Sequence, residues 1–265
     1  MRLFRSGLQK LATRMATLLT FGLLAGLLVM IDLAVAATGG GSGEEGQNAL
    51  ALVTFPGAYD LILSFMFGLG GLFAVIYGAA IAGSEWTWGT LKTSVVRGES
   101  RSRYLLTTFA AIAVVLAVGL LVTFAIGVAA AAVGATIAGI GLDGIGDTAA
   151  MGRLPELFVR GWVAVTATAA LGFAVATLAR SQLAGIGVGI AFYFGETFAG
   201  IFLPDVVRYM PFHLSQAAVG GGSGFGGAPD PGALPVGTAL FLVTVWLVGS
   251  RVVAAGFSER AEITG

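Results

Sequence analysis

The sequence predicts an all-α membrane protein with six transmembrane helices. Hydrophobic residues make up 57% of the 265 residues and charged residues only 11%, whereas soluble domains contain about 25% charged residues. The mean hydropathy is +0.92, and the apolar residues form blocks of the length that crosses a bilayer, about 20 residues. Six such blocks with short connections leave no room for a large soluble domain. Residues 1–265 are therefore interpreted as a single transmembrane domain.

The predicted spans are separated by short polar or glycine-rich connections. They cover about residues 15–35, 59–83, 104–138, 158–179, 183–203 and 236–253. The third span is longer than a bilayer requires, so it must tilt, protrude or break near Gly127 or Gly134. The connection at 139–156 is predicted to be a loop with room for a short surface helix, and 204–235 is the longest stretch outside the spans.

The first span follows a basic start that contains Arg2, Arg5, Lys10 and Arg14. A cleaved signal peptide is the alternative, because the apolar run ends in the small residues Ala34-Val35-Ala36. The run is longer than the usual signal core of about 7–15 residues. Its length favours a retained membrane anchor.

Lys and Arg residues are distributed unequally between the two sides of the six-span arrangement. Eleven of the fourteen lie at the two termini, in the 84–104 connection and at the Arg180 turn, and only Arg153, Arg160 and Arg208 lie on the other side. An excess of Lys and Arg marks cytoplasmic segments. Both termini and the 84–104 segment are therefore predicted to be cytoplasmic in a multi-pass protein of the cell membrane. The net charge of zero does not indicate nucleic acid as a partner.

Several catalytic and metal-binding motifs are absent from the sequence. There is no cysteine and no H-E-x-x-H motif, and a single histidine, His213, cannot build a multi-histidine metal site. Neither Lys10 nor Lys92 follows a glycine, so the chain has no phosphate-binding P-loop. The run Gly221–Gly224 superficially resembles the serine motif of rhomboid proteases, but no histidine follows it to act as a base. These absences predict a protein that is not itself an enzyme.

The most specific pattern is the charged and aromatic segment from Ser84 to Tyr104, which separates the second and third spans. Glu85, a Gly-Thr pair, several basic residues and a return into an apolar helix follow one another in it. This order resembles the cytoplasmic loop of ABC-2 type transporter permeases. The segment 208–212, Arg-Tyr-Met-Pro-Phe, is similar to the proline-containing segment before the last span of that family.

The resemblance implies a permease subunit of an ATP-driven exporter. In that family the loop forms a cytoplasmic coupling helix between spans two and three, which docks on separately encoded ATPase subunits. ATP and Mg are then expected on those ATPases, with no cofactor in this chain, and a second permease copy or a related permease is expected as a further partner. The implied ATPase-coupling residues are Glu85, Trp86, Trp88, Gly89, Thr90, Leu91, Lys92, Arg97, Arg101 and Arg103.

The chain departs from the family pattern in two places. Thr107 and Thr108 stand where the family commonly has a lysine, and the amphipathic helix ahead of the first span is represented only by Arg2 to Arg14. The first difference leaves the inner end of span three without its usual basic anchor.

The physical character of the 84–104 loop agrees with a docking role. Trp86, Trp88 and Leu91 form an apolar patch among charged residues, which suits a solvated segment that binds a protein. Alternatively, the tryptophans belong to the interfacial aromatic belt. The arginines could equally contact the headgroups of anionic membrane lipids.

Three carboxylates lie inside or close to the predicted spans. Glu196 is about thirteen residues, or roughly 20 Å, into the fifth span. Because an intramembrane carboxylate is costly and usually functional, Glu196 is predicted to line a substrate path. The alternative is an interfacial residue bonded to free backbone amides near Gly195 and Gly200. Asp32 and Asp60 lie nearer the outer boundary and are expected to face water.

Two glycine pairs have the four-residue spacing that lets helices approach closely, Gly22 with Gly26 and Gly185 with Gly189. Such pairs serve either a dimer contact or ordinary packing within one bundle. The sequence leaves both open.

A second class of function also remains open. The chain could be a membrane scaffold or sensor that binds a cytoplasmic protein through the same 84–104 loop, without transport. A neighbouring gene for a P-loop ATPase without membrane spans would favour the transporter. The sequence does not indicate the substrate.

Overall fold

The computed structural model describes residues 2–38, 50–88, 100–220 and 234–260. Within these ranges it contains helices and turns and no strand. The main helices are α1 (Arg2–Ala12), α2 (Met15–Thr38), α3 (Gly57–Thr87), α4 (Arg101–Ile137), α5 (Thr148–Ala179), α6 (Gln182–Phe202), α7 (Pro204–Val207), α8 (Pro211–Ala218) and α9 (Val236–Arg260).

Six of these helices are long and apolar enough to cross a membrane, namely α2, α3, α4, α5, α6 and α9. The prediction of six apolar helices is confirmed, and the composition and lengths are those of a multi-pass membrane protein. The remaining helices are shorter. α1 precedes the first span, and α7 and α8 lie between the last two.

Two helix boundaries differ from the sequence prediction. α3 continues to Thr87, so Glu85 lies on its last turn and not in a loop. α5 begins at Thr148, within the stretch that the sequence predicts to be a loop. The Asp147 side chain caps this helix by accepting a hydrogen bond from the backbone N–H of Ala150 at 2.7 Å. Pro155 then lies inside α5, although proline ordinarily interrupts a helix.

α3 and α5 form the centre of the bundle. In each of them 67% of the most apolar stretch is buried, compared with 22% in α2 and 17% in α6 and α9. The two helices meet at a reciprocal pair of glycines. A Cβ on Gly78 would overlap the carbonyl oxygen of Ala169, and a Cβ on Gly172 would overlap that of Val75. Their backbones are therefore in direct contact, which only glycine permits.

α2 packs along α4 through a row of glycines on α4. Gly119 faces Phe21, Gly127 faces Leu28, and Gly134 faces Ala36. Because both residue numbers increase together, the two helices run in the same direction, as expected for spans one and three of an alternating arrangement.

The two predicted glycine pairs have different surroundings. A Cβ on Gly185 would contact Ala176, and one on Gly189 would contact Val75, so this pair serves packing within the bundle. Gly22 and Gly26 have no neighbour within 4 Å of such a Cβ in the described part of the chain.

Candidate functional site

Glu85 is the centre of a cluster of polar side chains at one end of the bundle. It lies on the last turn of α3, and only 1% of its surface is exposed. Lys10 Nζ donates to Glu85 Oε1 at 2.9 Å, and the Tyr104 hydroxyl donates to Oε2 at 2.6 Å. Arg14 donates two hydrogen bonds, from Nη2 to Glu85 Oε1 at 3.3 Å and from Nη1 to Ser84 Oγ at 2.9 Å. We call Lys10, Arg14, Ser84, Glu85 and Tyr104 the Glu85 cluster.

The cations of this cluster come from the segment that precedes the first span. α1 is amphipathic: Phe4, Leu8 and Leu11 pack against the core, and Lys10 lies in the last turn of the helix. The helix lies against α4, where a Cβ on Gly7 would be 3.8 Å from Ala111 Cβ. The sequence indicated only a basic segment at Arg2 to Arg14, and the structure shows a helix there that brings its charges to Glu85.

The predicted coupling residues that lie beside Glu85 differ in their exposure. Trp86 is half-buried, and the Arg180 guanidinium carbon lies 5.4 Å from the centroid of its ring. Trp88 is 65% exposed, and Arg14 lies 4.8 Å from its ring centroid. Of these two tryptophans, Trp88 is therefore the one that presents an accessible apolar face.

Two of the predicted basic residues lie at the start of α4, next to other helices. Arg101 Nη1 donates to the carbonyl oxygen of Ser258 on α9 at 3.3 Å. Arg103 lines a shallow groove of about 460 Å³ between α1 and α4, together with Phe4 and Thr107. The other five predicted coupling residues, Gly89, Thr90, Leu91, Lys92 and Arg97, lie outside the described residues, as does the predicted coupling helix.

Glu196 lies at the other end of the bundle, within α6, and is 4% exposed. Its Oε2 accepts the backbone N–H groups of Phe212 and His213, both at 3.1 Å, and His213 Nδ1 lies 3.2 Å away. Pro211, Phe212 and His213 form the first turn of α8. The carboxylate thus caps the start of a helix, where backbone N–H groups lack partners and the helix dipole favours a negative charge.

The sequence indicated that Glu196 could bond free backbone amides, but it indicated the wrong ones. The amides near Gly195 and Gly200 belong to the same helix as Glu196, whereas the bonded amides belong to α8. Phe212 also packs α8 against α6, because its ring centroid lies 5.0 Å from that of Tyr193 on α6. Glu196 therefore joins α6 to α8.

Replacing Glu196 with alanine should lower the free energy of unfolding by about 2 kcal/mol, because the backbone amides of Phe212 and His213 lose a charged acceptor. Chemical denaturation in detergent micelles measures this change. Thr197→Ala is the matched control: Thr197 is exposed, and its hydroxyl donates only to the Tyr193 carbonyl of the same helix at 3.1 Å. Equal effects at the two positions would contradict the anchoring role of Glu196.

The two aspartates near the outer boundary have different environments. Asp60 is exposed, as predicted. Asp32 is 0% exposed, so the expectation that it faces water is wrong. It lies on the same face of α2 as Leu28 and Ala36, and that face packs against the glycines of α4.

The comparisons with known proteins give one family match. A family model described as a protein of unknown function (DUF2705) matches residues 15–250, which is most of the chain and includes all six apolar helices in whole or in large part. A search of curated proteins found no match.

Proposed function

Since the chain belongs to the DUF2705 family, whose function is unknown, we propose that it is the membrane-spanning subunit of an ATP-driven ABC-2 type exporter. The proposal combines the resemblance of the 84–104 segment with the geometry around Glu85. In this function the chain forms the translocation path, and separate cytoplasmic ATPase subunits bind ATP and Mg. A second permease copy or a related permease completes the path.

The observation that carries the proposal is the position of the Glu85 cluster. It joins α1, the α1–α2 junction, the end of α3 and the start of α4. Residues 89–99 connect α3 to α4 directly after Glu85, so a protein that binds this connection would act on both helices. Glu85 is buried and accepts several charge-assisted bonds, which therefore resist rearrangement within the cluster. A displacement of the connection would then move α1, α2, α3 and α4 together.

The proposed mechanism is rigid-body gating. Two ATPase subunits close on ATP, press on the 84–104 segments of two permeases, and bias the spans between inward-open and outward-open arrangements. The chain supplies no catalytic group in this mechanism. The excess of Lys and Arg on the side of the Glu85 cluster supports a cytoplasmic location for the cluster and for both termini.

The direct test is whether the purified permease binds a P-loop ATPase without membrane spans that is encoded by a neighbouring gene. Trp88→Ala and Leu91→Ala should each weaken the association of purified permease and ATPase by about 30-fold, the effect of losing an interface residue worth about 2 kcal/mol. ATPase stimulation by the permease should fall in parallel. Tyr209→Ala is the control, because Tyr209 is also exposed and aromatic but lies beyond α6, at the other end of the bundle.

Unchanged binding and unchanged stimulation in both loop variants would contradict the coupling role. If the permease binds no P-loop ATPase and instead retains a cytoplasmic protein through Trp88, the result favours the scaffold or sensor function over transport. Because Trp88 is exposed and its ring contact with Arg14 is worth only about 0.5–1 kcal/mol, its substitution should leave the protein folded, and unfolding in detergent checks this.

A further inference from the structure

Asp32 is a fully buried carboxylate inside the first span. It is 0% exposed, and neither of its carboxylate oxygens has a hydrogen-bond partner among the residues that the structure describes. It lies six residues before Thr38, the last residue of α2, which corresponds to about 9 Å of helix. Glu85 and Glu196, the other two buried acids among the described residues, both have several hydrogen-bond donors. Asp32 therefore differs from both, because no hydrogen-bond donor of the described residues compensates its burial.

The packing of α4 explains why Asp32 is buried. Leu24, Leu28, Asp32 and Ala36 follow one another at four-residue intervals and form one face of α2. Gly134 of α4 lies against this face, where its Cβ would be 3.4 Å from the backbone oxygen of Asp32 and 3.2 Å from Ala36 Cβ. The absence of a side chain at Gly134 brings the α4 backbone close to the turn that carries Asp32.

No cation of the neighbouring helices lies at this end of the bundle. The titratable and charged groups on the elements packed against α2 are Arg2, Arg5 and Lys10 on α1, Tyr59, Asp60, Tyr77 and Glu85 on α3, and Arg101, Arg103 and Tyr104 on α4. All of them except Tyr59, Asp60 and Tyr77 lie at or near the end that holds the Glu85 cluster.

The three remaining groups do not neutralise Asp32 either. The Tyr59 hydroxyl donates to the carbonyl oxygen of Ile145 at 2.6 Å, and the Tyr77 hydroxyl lies 2.9 Å from Thr17 Oγ1. Asp60 is itself an acid and is exposed. The connecting sequence 39–49 contains Glu44 and Glu45 but no Lys or Arg.

An ionised carboxylate without a counter-charge or a hydrogen-bond donor is strongly disfavoured in such surroundings, whereas the neutral acid is tolerated. We propose that Asp32 is a proton-binding site of the α2–α4 interface, which holds its proton while the two helices are packed and releases it to water when they separate. The ligand is the proton alone, and the step is the dissociation of one carboxylic acid into a carboxylate and a proton. This inference does not depend on the transporter function.

The proposal links the packing of two spans to pH. Because the packed arrangement binds one more proton than the separated one, separation becomes more favourable as the pH rises. The equilibrium should change by up to about tenfold per pH unit. Any partner or substrate that separates α2 from α4 would then release a proton on that side of the membrane.

Infrared spectroscopy of the purified protein in lipid nanodiscs tests the protonation directly. At neutral pH the wild-type protein should show the carbonyl band of a protonated carboxylic acid, and Asp32→Asn should lose it. Asp60→Asn and Glu196→Gln should retain it. If Asp32→Asn removes no such band, Asp32 is ionised or bound to another cation, and the proposal is wrong.

The absence of native cysteine allows a second test of the linkage to packing. Ala36→Cys with Gly134→Cys places two Cβ atoms close to the separation found in disulfides, about 3.5–4.5 Å. Gly7→Cys with Ala111→Cys, at 3.8 Å between α1 and α4, is a control pair far from Asp32. Thiol reactivity rises with pH in both pairs. Dividing the cross-linking rate of the Ala36/Gly134 pair by that of the Gly7/Ala111 pair therefore removes this common effect.

This ratio should fall as the pH rises from mildly acidic to mildly alkaline, by up to about tenfold per pH unit. In the Asp32→Asn background it should stay constant, because asparagine has the same shape and carries no proton to release. A ratio that changes equally in both backgrounds would overturn the linkage.

Discussion

Replacing Glu85 with alanine should lower the free energy of unfolding by about 3 kcal/mol. The substitution removes the acceptor of three donors, Lys10, Arg14 and Tyr104, and it leaves the largely buried Arg14 without its carboxylate. Breaking a buried ion pair by removing one partner typically costs about 3–5 kcal/mol. The partial exposure of Lys10 places this cluster at the lower end of that range. Denaturant unfolding in detergent micelles measures the change.

Glu156→Gln provides the control for the loss of a carboxylate. Glu156 is exposed and pairs with Arg160 one turn away on the same helix, an arrangement worth about 0.5 kcal/mol. A loss at Glu85 no greater than that at Glu156 would show that the cluster does not hold α1 against α3 and α4.

Replacing Gly172 with alanine should also lower the free energy of unfolding by about 3 kcal/mol. The added Cβ overlaps the carbonyl oxygen of Val75, and a backbone atom cannot rotate away as a flexible side chain can. α3 and α5 must therefore separate along their whole contact, at the upper end of the usual cost of overpacking. Gly187→Ala should change stability by less than about 1 kcal/mol, because a Cβ there has no neighbour within 4 Å.

The reciprocal glycine gives a stricter test of the same contact. Gly78→Ala should cost a similar amount, and the Gly78→Ala/Gly172→Ala double variant should cost clearly less than the two single losses added together. Once the first methyl group has separated the helices, the second meets little resistance. Full additivity would mean that the two glycines do not share one helix crossing.

The spans could be predicted from the sequence because their length and composition are local properties. The face that a helix buries is not local. Asp32 resembles a boundary residue in sequence, and it becomes a core residue only because Gly134, about 100 residues later, brings α4 against it. Likewise, the hydrophobic pattern ended the second span at 83, whereas the helix continues far enough for Glu85 to meet Lys10.

The contacts of the candidate site, like the buried faces of the helices, join residues that are far apart in the sequence. Glu85 and Trp88 can be identified from their order along the chain, but the two cationic partners of Glu85 lie 75 and 71 residues earlier, at Lys10 and Arg14. A basic run before a span usually indicates membrane orientation, so its charges carried no signal for a buried ion pair. The isolated carboxylate of Glu196 in an apolar span does indicate a special role in the sequence. The amides that it caps could not be identified, because they are free only where a second helix begins at Pro211.

The burial of Asp32 by α4 has a consequence for synthesis of the protein. α2 ends at Thr38 and α4 at Ile137, so translation of the intervening residues takes about 5–20 s at ordinary elongation rates. During that interval Asp32 has no α4 to cover it. Because it lies about 9 Å from the end of α2, it costs less than the roughly 2.5–3.5 kcal/mol of an aspartate at the centre of an inserting helix. The apolar remainder of α2, with a hydropathy of 2.4, offsets that cost. The first span must therefore wait in the bilayer with an uncovered acid until the third arrives.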